Sequence, residues 1–137
     1  MDLGLTWHGR RILGANKTWR GVLTGTLLAG LTALLLSPVV DYDNALLVTF
    51  GYGAIMGFGA LFGDAVESAL KRRRGIASGH SWFPFDQIDY IIGGLVFLVP
   101  FAHLTKGDVA LIFVAYFALH LVSAYIGYLL GLKDKPI

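Results

Sequence analysis

The stretch Ala45–Gly63, ALLVTFGYGAIMGFGALFG, carries no charged residue and has the length of a membrane crossing. A bilayer core about 30 Å thick needs roughly 20 apolar residues at about 1.5 Å of helix rise each. Outward from it, Gly21–Val40 is also uncharged, as is Val109–Leu132, and Tyr90–Leu104 is a shorter fourth stretch that needs turns at its ends. A soluble core can hide one such segment, but four in 137 residues are too many. Composition agrees: 55% of residues are apolar, 15% are charged and the mean hydropathy is +0.66, which leaves too little polar surface for a soluble domain. The expected architecture is therefore all-α: a polytopic integral membrane protein forming a single membrane-embedded domain over 1–137. Its expected spans are about 21–40, 45–68, 88–105 and 109–132, with a cytoplasmic loop at 69–87. The chain has no cysteine, which excludes disulfides and thiolate metal sites. Met1 opens into a polar, basic stretch rather than a secretory leader.

Charge sets the orientation. Arg10, Arg11, Lys17 and Arg20 precede the first span, Lys71 to Arg74 follow the second, and Lys133 and Lys135 follow the last. The opposite side holds only Lys106, with Asp41, Asp43 and Asp108. Basic residues stay in the cytoplasm, so both termini and the long loop are expected there. Trp7, Trp19 and Trp82 flank apolar stretches, where indole rings favour the headgroup level. Gly53 and Gly57, Gly59 and Gly63, and Gly127 and Gly131 are each four residues apart, so each pair is expected on one helix face. Small residues at that spacing admit a close helix neighbour, here expected within one chain rather than across a dimer seam.

Two cytoplasmic segments carry the chemistry. His8–Gly21, HGRRILGANKTWRG, combines flexible glycine with Asn16, Lys17, Thr18 and Arg20. That inventory of amide, hydroxyl and cations suits phosphate, although it is not the P-loop pattern, and it equally suits a juxtamembrane anchor on acidic headgroups. The second segment is Gly63–Asp89, GDAVESALKRRRGIASGHSWFPFDQID. Continued as helix, it places Asp64, Glu67, Ser68 and Lys71 at i, i+3, i+4 and i+7 on one face, with Arg72 at the edge. Carboxylates at the membrane end of a span need partners. Either they serve a reaction, or Asp64 and Glu67 simply pair with Lys71 and Arg72. Beyond a loop with Gly79 and His80, Asp86 and Asp89 open the third span; three apart, they can share a face and hold a hard divalent cation, or act as ordinary helix-start acids. Acids for a metal and cations for phosphates, at headgroup depth, suit phosphoryl or nucleotidyl transfer onto a lipid. His103 and His120 lie in or near spans and are read as packing or helix–helix hydrogen bonds.

The second segment resembles the signature of the membrane CTP-dependent cytidylyltransferases that make CDP-lipids, in Ser68, Lys71, Arg72, Gly79, His80, Asp86 and Asp89. NKTWRG at Asn16–Gly21, GDxxES at Gly63–Ser68 and the SGHSWFPFDQID loop look closest to the archaeal branch, the CDP-archaeol synthases. The resemblance implies transfer of CMP from CTP to an unsaturated archaeal ether-lipid phosphate, 2,3-bis-O-geranylgeranylglycerol 1-phosphate, with Mg²⁺ as cofactor and pyrophosphate as product. It implies metal roles for Asp64 and Asp86 with Asp89 and Glu67 in support. It further implies phosphate contacts from Lys71 and Arg72, and nucleotide contacts from Asn16, Lys17 and Thr18, with Arg20, Ser68 and His80 alongside. CTP, a lipid phosphate and membrane lipids are the implied partners; no nucleic acid is expected, and the sequence leaves oligomeric state open. Members of this branch usually carry one more apolar helix ahead of the HGRRILG-like segment, giving five spans. The present chain is therefore read either as cut or internally started, or as a short form. Three alternatives remain: diacyl phosphatidate as the acceptor, a CDP-alcohol phosphotransferase, whose longer aspartate motif is absent, and a small proton-coupled transporter, which needs carboxylates nearer the bilayer midplane.

Overall fold

In the computed structural model the described residues are 17–38, 45–77, 80 and 82–132, with backbone alone at 6–7 and 10–11. Four helices account for most of them: α1 (Trp19–Leu36), α2 (Leu46–Arg73), α3 (Phe85–Leu98) and α4 (Lys106–Leu129). Before α1, Thr6–Trp7 pairs antiparallel with Arg10–Arg11, Thr6 opposite Arg11, a pair of two-residue strands beside the helices. Three helices, α1, α2 and α4, are long and apolar enough to cross a membrane. At 14 residues, α3 reaches only about 21 Å. The chain divides into two compact units, Met1–His103 and Leu104–Ile137.

Local chemistry sets each boundary. Thr18 caps α1, its hydroxyl accepting the Gly21 N–H at 3.0 Å, and Pro38 follows the C-cap Ser37, so the helix stops short of residue 40. The second helix continues past 68, the expected end of its span, to Arg73, because Ala69-Leu70-Lys71-Arg72-Arg73 are good helix formers and its last turn is basic. It ends at Gly75, whose φ of +79° admits a left-handed cap in which Gly75 N–H donates to Arg72 and Ile76 N–H to Lys71. The loop expected over 69–87 is thereby shortened to about 74–84. The third helix starts at Phe85 and stops at Leu98, with Pro100 just beyond; hydrogen-bonded turns flank both ends, at Trp82–Pro84 and Val99–Ala102. In the second unit, Thr105 and Asp108 form a reciprocal capping box that starts α4 at Lys106. Gly131 ends it at φ +70°, so Gly127 and Gly131 do not share a helix face as their spacing suggests.

In the first unit, α2 is the central helix, with α1 on one side and α3 on another. Glycine makes both contacts close. A methyl at Gly53 would run into Ala33 and the Ala29 carbonyl of α1, and one at Gly57 into Ala29. A methyl at Gly59 would meet Gly93 and Phe97 of α3, and one at Gly63 would meet Asp89 and Gly93. Both pairs therefore serve packing within the chain. Phe97 closes the α2–α3 seam edge-on against Phe58, with ring centroids 5.4 Å apart. Leu23, Leu27, Leu31 and Leu35 form an outward stripe on α1, each half or more exposed. In water such a stripe would be unfavourable; facing lipid it is at no disadvantage. Thr24 and Thr32 return their hydroxyls to the Arg20 and Leu28 carbonyls, each at 2.8 Å, as a polar side chain in an apolar medium requires.

Candidate active site

The second helix carries Asp64, Glu67, Ser68 and Lys71 along one face, as the spacing predicts: Glu67, Ser68 and Lys71 are buried, and Asp64 is partly exposed. Two neighbouring elements complete the constellation. The residue ahead of the α1 cap, Lys17, forms an ion pair with Asp64. From α3, Asp86 pairs with Lys71 and Asp89 joins Asp64 and Glu67. One carboxylate oxygen from each of Asp64, Glu67 and Asp89 lies within 4.8 Å of the other two. The glycine seam is what permits this. Gly63 lets the Asp89 backbone of α3 come directly against α2, one residue from Asp64.

Lys71 is the buried hub. Its ammonium lies 3.2 Å from Glu67 Oε1, pairs with Asp86 and donates to the His80 carbonyl at 3.1 Å. The Glu67 contact is ionic, without hydrogen-bond alignment at that oxygen. Asp86 also accepts the Trp82 N–H at 2.8 Å, which ties the loop to the start of α3. Burial raises the Asp86 carboxyl, but Lys71 and the Trp82 N–H more than offset it and hold the group below the ordinary carboxylate range. Arg74 stacks on Trp82, 4.8 Å from the ring centroid, and Trp82 packs on Phe85.

Other expected site residues fall differently. Asp86 lies outside the three-carboxylate cluster, because its oxygens are engaged by Lys71 and the loop backbone. The Thr18 hydroxyl is used in capping α1. Arg72 donates to the Ile76 carbonyl, so the expected pairing of Asp64 and Glu67 with both Lys71 and Arg72 is realised only between Glu67 and Lys71. Arg20 is exposed in the first turn of α1. His80 is exposed and contributes its backbone carbonyl. Asn16 and Gly79 lie outside the described residues. Two features escaped the sequence reading: Gly93, which completes the α2–α3 seam, and the pairing of Lys17 with Asp64. For Gly93 the signal was a Gly-Gly step in a short apolar helix. For the ion pair, 47 residues apart in sequence, there was none.

The donor set fits a hard divalent cation. Carboxylate oxygens from α2 and α3 converge, and among the described residues four carboxylates face the two ammonium groups of Lys17 and Lys71. Like charges this close are unfavourable unless a cation joins them.

The CarS-like CDP-archaeol synthase family model matches residues 1–137. The chain belongs to the CDP-archaeol synthase family. It is thereby a CTP-dependent nucleotidyltransferase and a multi-pass membrane protein. The CDP-archaeol synthase of Thermococcus kodakarensis is 34% identical over 140 residues, covering 99% of this chain and 81% of its own. That of Methanosarcina barkeri is 36% identical over 159 residues, covering 99% and 89%. A solved structure described as an intramembrane enzyme for archaeal membrane lipids biosynthesis superposes with a TM-score of 0.76 at 28% identity, over 89% of this chain and 76% of that one.

Proposed function

We propose that the whole chain acts as one membrane-embedded domain that transfers CMP from CTP to 2,3-bis-O-geranylgeranylglycerol 1-phosphate at the cytoplasmic face, releasing pyrophosphate. The observation that carries this reading is the cluster of Asp64, Glu67 and Asp89 beside Lys17 and Lys71, in a CDP-archaeol synthase. Asp64, Glu67 and Asp89 would hold Mg²⁺, which when bound offsets charge on the phosphates and polarises the α-phosphorus. Lys17 contacts the nucleotide phosphates, with Asn16, Thr18, Arg20 and Ser68 shaping that side. Asp86 acts through Lys71, which keeps Glu67 and the His80 carbonyl in register. Arg72 holds the turn after α2.

The lipid phosphate is already an anionic oxygen nucleophile. Its oxygen bonds the α-phosphorus of CTP as the bond from that phosphorus to the β-phosphate oxygen breaks, and pyrophosphate leaves with that electron pair. No side chain needs to carry the nucleotide first. One experiment tests both halves. Purified protein receives CTP, Mg²⁺ and labelled pyrophosphate without lipid, and then the unsaturated ether-lipid phosphate or diacyl phosphatidate. We expect no label in CTP before lipid is added, and CDP-lipid formation fastest with the ether lipid. Label exchanged into CTP without lipid would establish a covalent route, and preference for phosphatidate would establish the other acceptor.

A further inference from the structure

The two lysines of the site are held in different ways. Lys71 is buried and fixed by Glu67, Asp86 and the His80 carbonyl, so its donors are committed to the protein. Lys17 reaches the cluster from another element, on a flexible four-carbon stem, and pairs with Asp64, whose side chain is 41% exposed. Asp64 is also a member of the cluster that fits a divalent cation. The same carboxylate therefore serves two cations that cannot both hold it fully.

We propose that Lys17 is an exchangeable cation latch. Its ammonium neutralises Asp64 while the metal site is empty, and it is displaced toward the nucleotide phosphates when Asp64 takes a divalent ion. This rests on the metal and nucleotide reading given above. Thr18 supplies the pivot. Its cap fixes the start of α1, and α1 is seated on α2 through Gly53 and Gly57, so the Lys17 backbone stays near Asp64 while the side chain swings. The two binding events are then linked. An anion that draws Lys17 away frees Asp64 for metal, and a metal on Asp64 frees Lys17 for the anion; the coupling is reciprocal. A lysine serving only as a phosphate contact would leave metal binding unaltered when removed. A latch makes the two affinities move in opposite directions.

The test measures Mn²⁺ binding to the full chain in detergent without nucleotide, by the loss of the free-ion paramagnetic resonance signal. Wild type is compared with Lys17→Met, Lys17→Gln, Lys17→Arg and Asp89→Asn, and CTP binding is measured separately in Mg²⁺. The neutral variants should bind Mn²⁺ about two- to fivefold more tightly than wild type, the scale of a partly exposed ion pair, and CTP more weakly. Lys17→Arg should stay near wild type for Mn²⁺, since it keeps the competing charge. Two neutral variants guard against one that does not fold. Unchanged or weaker Mn²⁺ binding in a folded neutral variant overturns the latch, while weakened binding in Asp89→Asn keeps the metal reading. Mn²⁺ binding that Asp89→Asn leaves intact overturns the metal reading, and the latch with it.

Discussion

At the scale of single residues, the site as proposed divides between groups that would hold a cation and groups that hold the holders. Asp89 belongs to the first kind, close to Asp64 and Glu67, and Asp86 to the second, tying Lys71 to α3 and the loop. Neutralising each should have opposite effects on the metal-free protein. Asp86→Asn weakens an ion pair to a buried lysine, and we expect a loss of about 1–3 kcal/mol, less than for a fully buried pair because Asp86 is partly exposed. Asp89→Asn relieves like-charge crowding and should leave the thermal midpoint unchanged or raised. Thermal unfolding in detergent without divalent ions reads both. Equal stability of Asp86→Asn and wild type would remove Asp86 from its positioning role.

At the scale of elements, the α2–α3 seam decides whether the site exists. Gly63→Ala would press a methyl against the Asp89 backbone, and overpacking of that kind costs about 1–3 kcal/mol. Because α3 must retreat, Asp89 leaves the cluster, and we expect metal affinity to fall together with thermal stability. Gly51→Ala is the control, since a methyl there meets nothing within 4 Å. A Gly63→Ala variant that matches Gly51→Ala in both properties would separate the seam from the site. Much of this was legible in the residues. The i, i+3, i+4, i+7 spacing of Asp64, Glu67, Ser68 and Lys71 needs only helical periodicity to place them on one face, and the structure has them there. Gly59 and Gly63 announced a close neighbour by their spacing, but the neighbour's identity was a tertiary fact. So was the meeting of Lys17 with Asp64, because no local rule pairs residues 47 apart. Within the expected third span the helix itself stops at Leu98, because hydropathy does not register where Pro100 ends a helix, and hydrogen-bonded turns continue it, as its short length required.

At the scale of the molecule, the distribution of charge predicts which ends of the helices share a compartment. Positions 17 and 71 should be accessible from the cytoplasmic side and position 106 from the other. The chain has no native cysteine, so single cysteines at these positions can be labelled in sealed, oriented vesicles without background. Labelling of positions 17 and 106 from the same side would overturn the orientation. Membership in the CDP-archaeol synthase family gives the reaction class; the labelling result would give the face on which CTP is met.

The central claim is that a metal held by Asp64, Glu67 and Asp89 drives CMP transfer onto an archaeal lipid phosphate. The most direct measurement follows labelled CMP from CTP into lipid, using purified protein, the unsaturated ether-lipid phosphate and a titration of Mg²⁺ after chelation. The account predicts no CDP-lipid in chelator, a saturable recovery with Mg²⁺, one pyrophosphate per CDP-lipid, and loss of at least about a hundredfold in rate for Asp64→Asn and for Asp89→Asn, as expected when a charge-stabilising group is removed. CDP-lipid formed at the full rate in chelator, or by a folded Asp89→Asn variant, would contradict it.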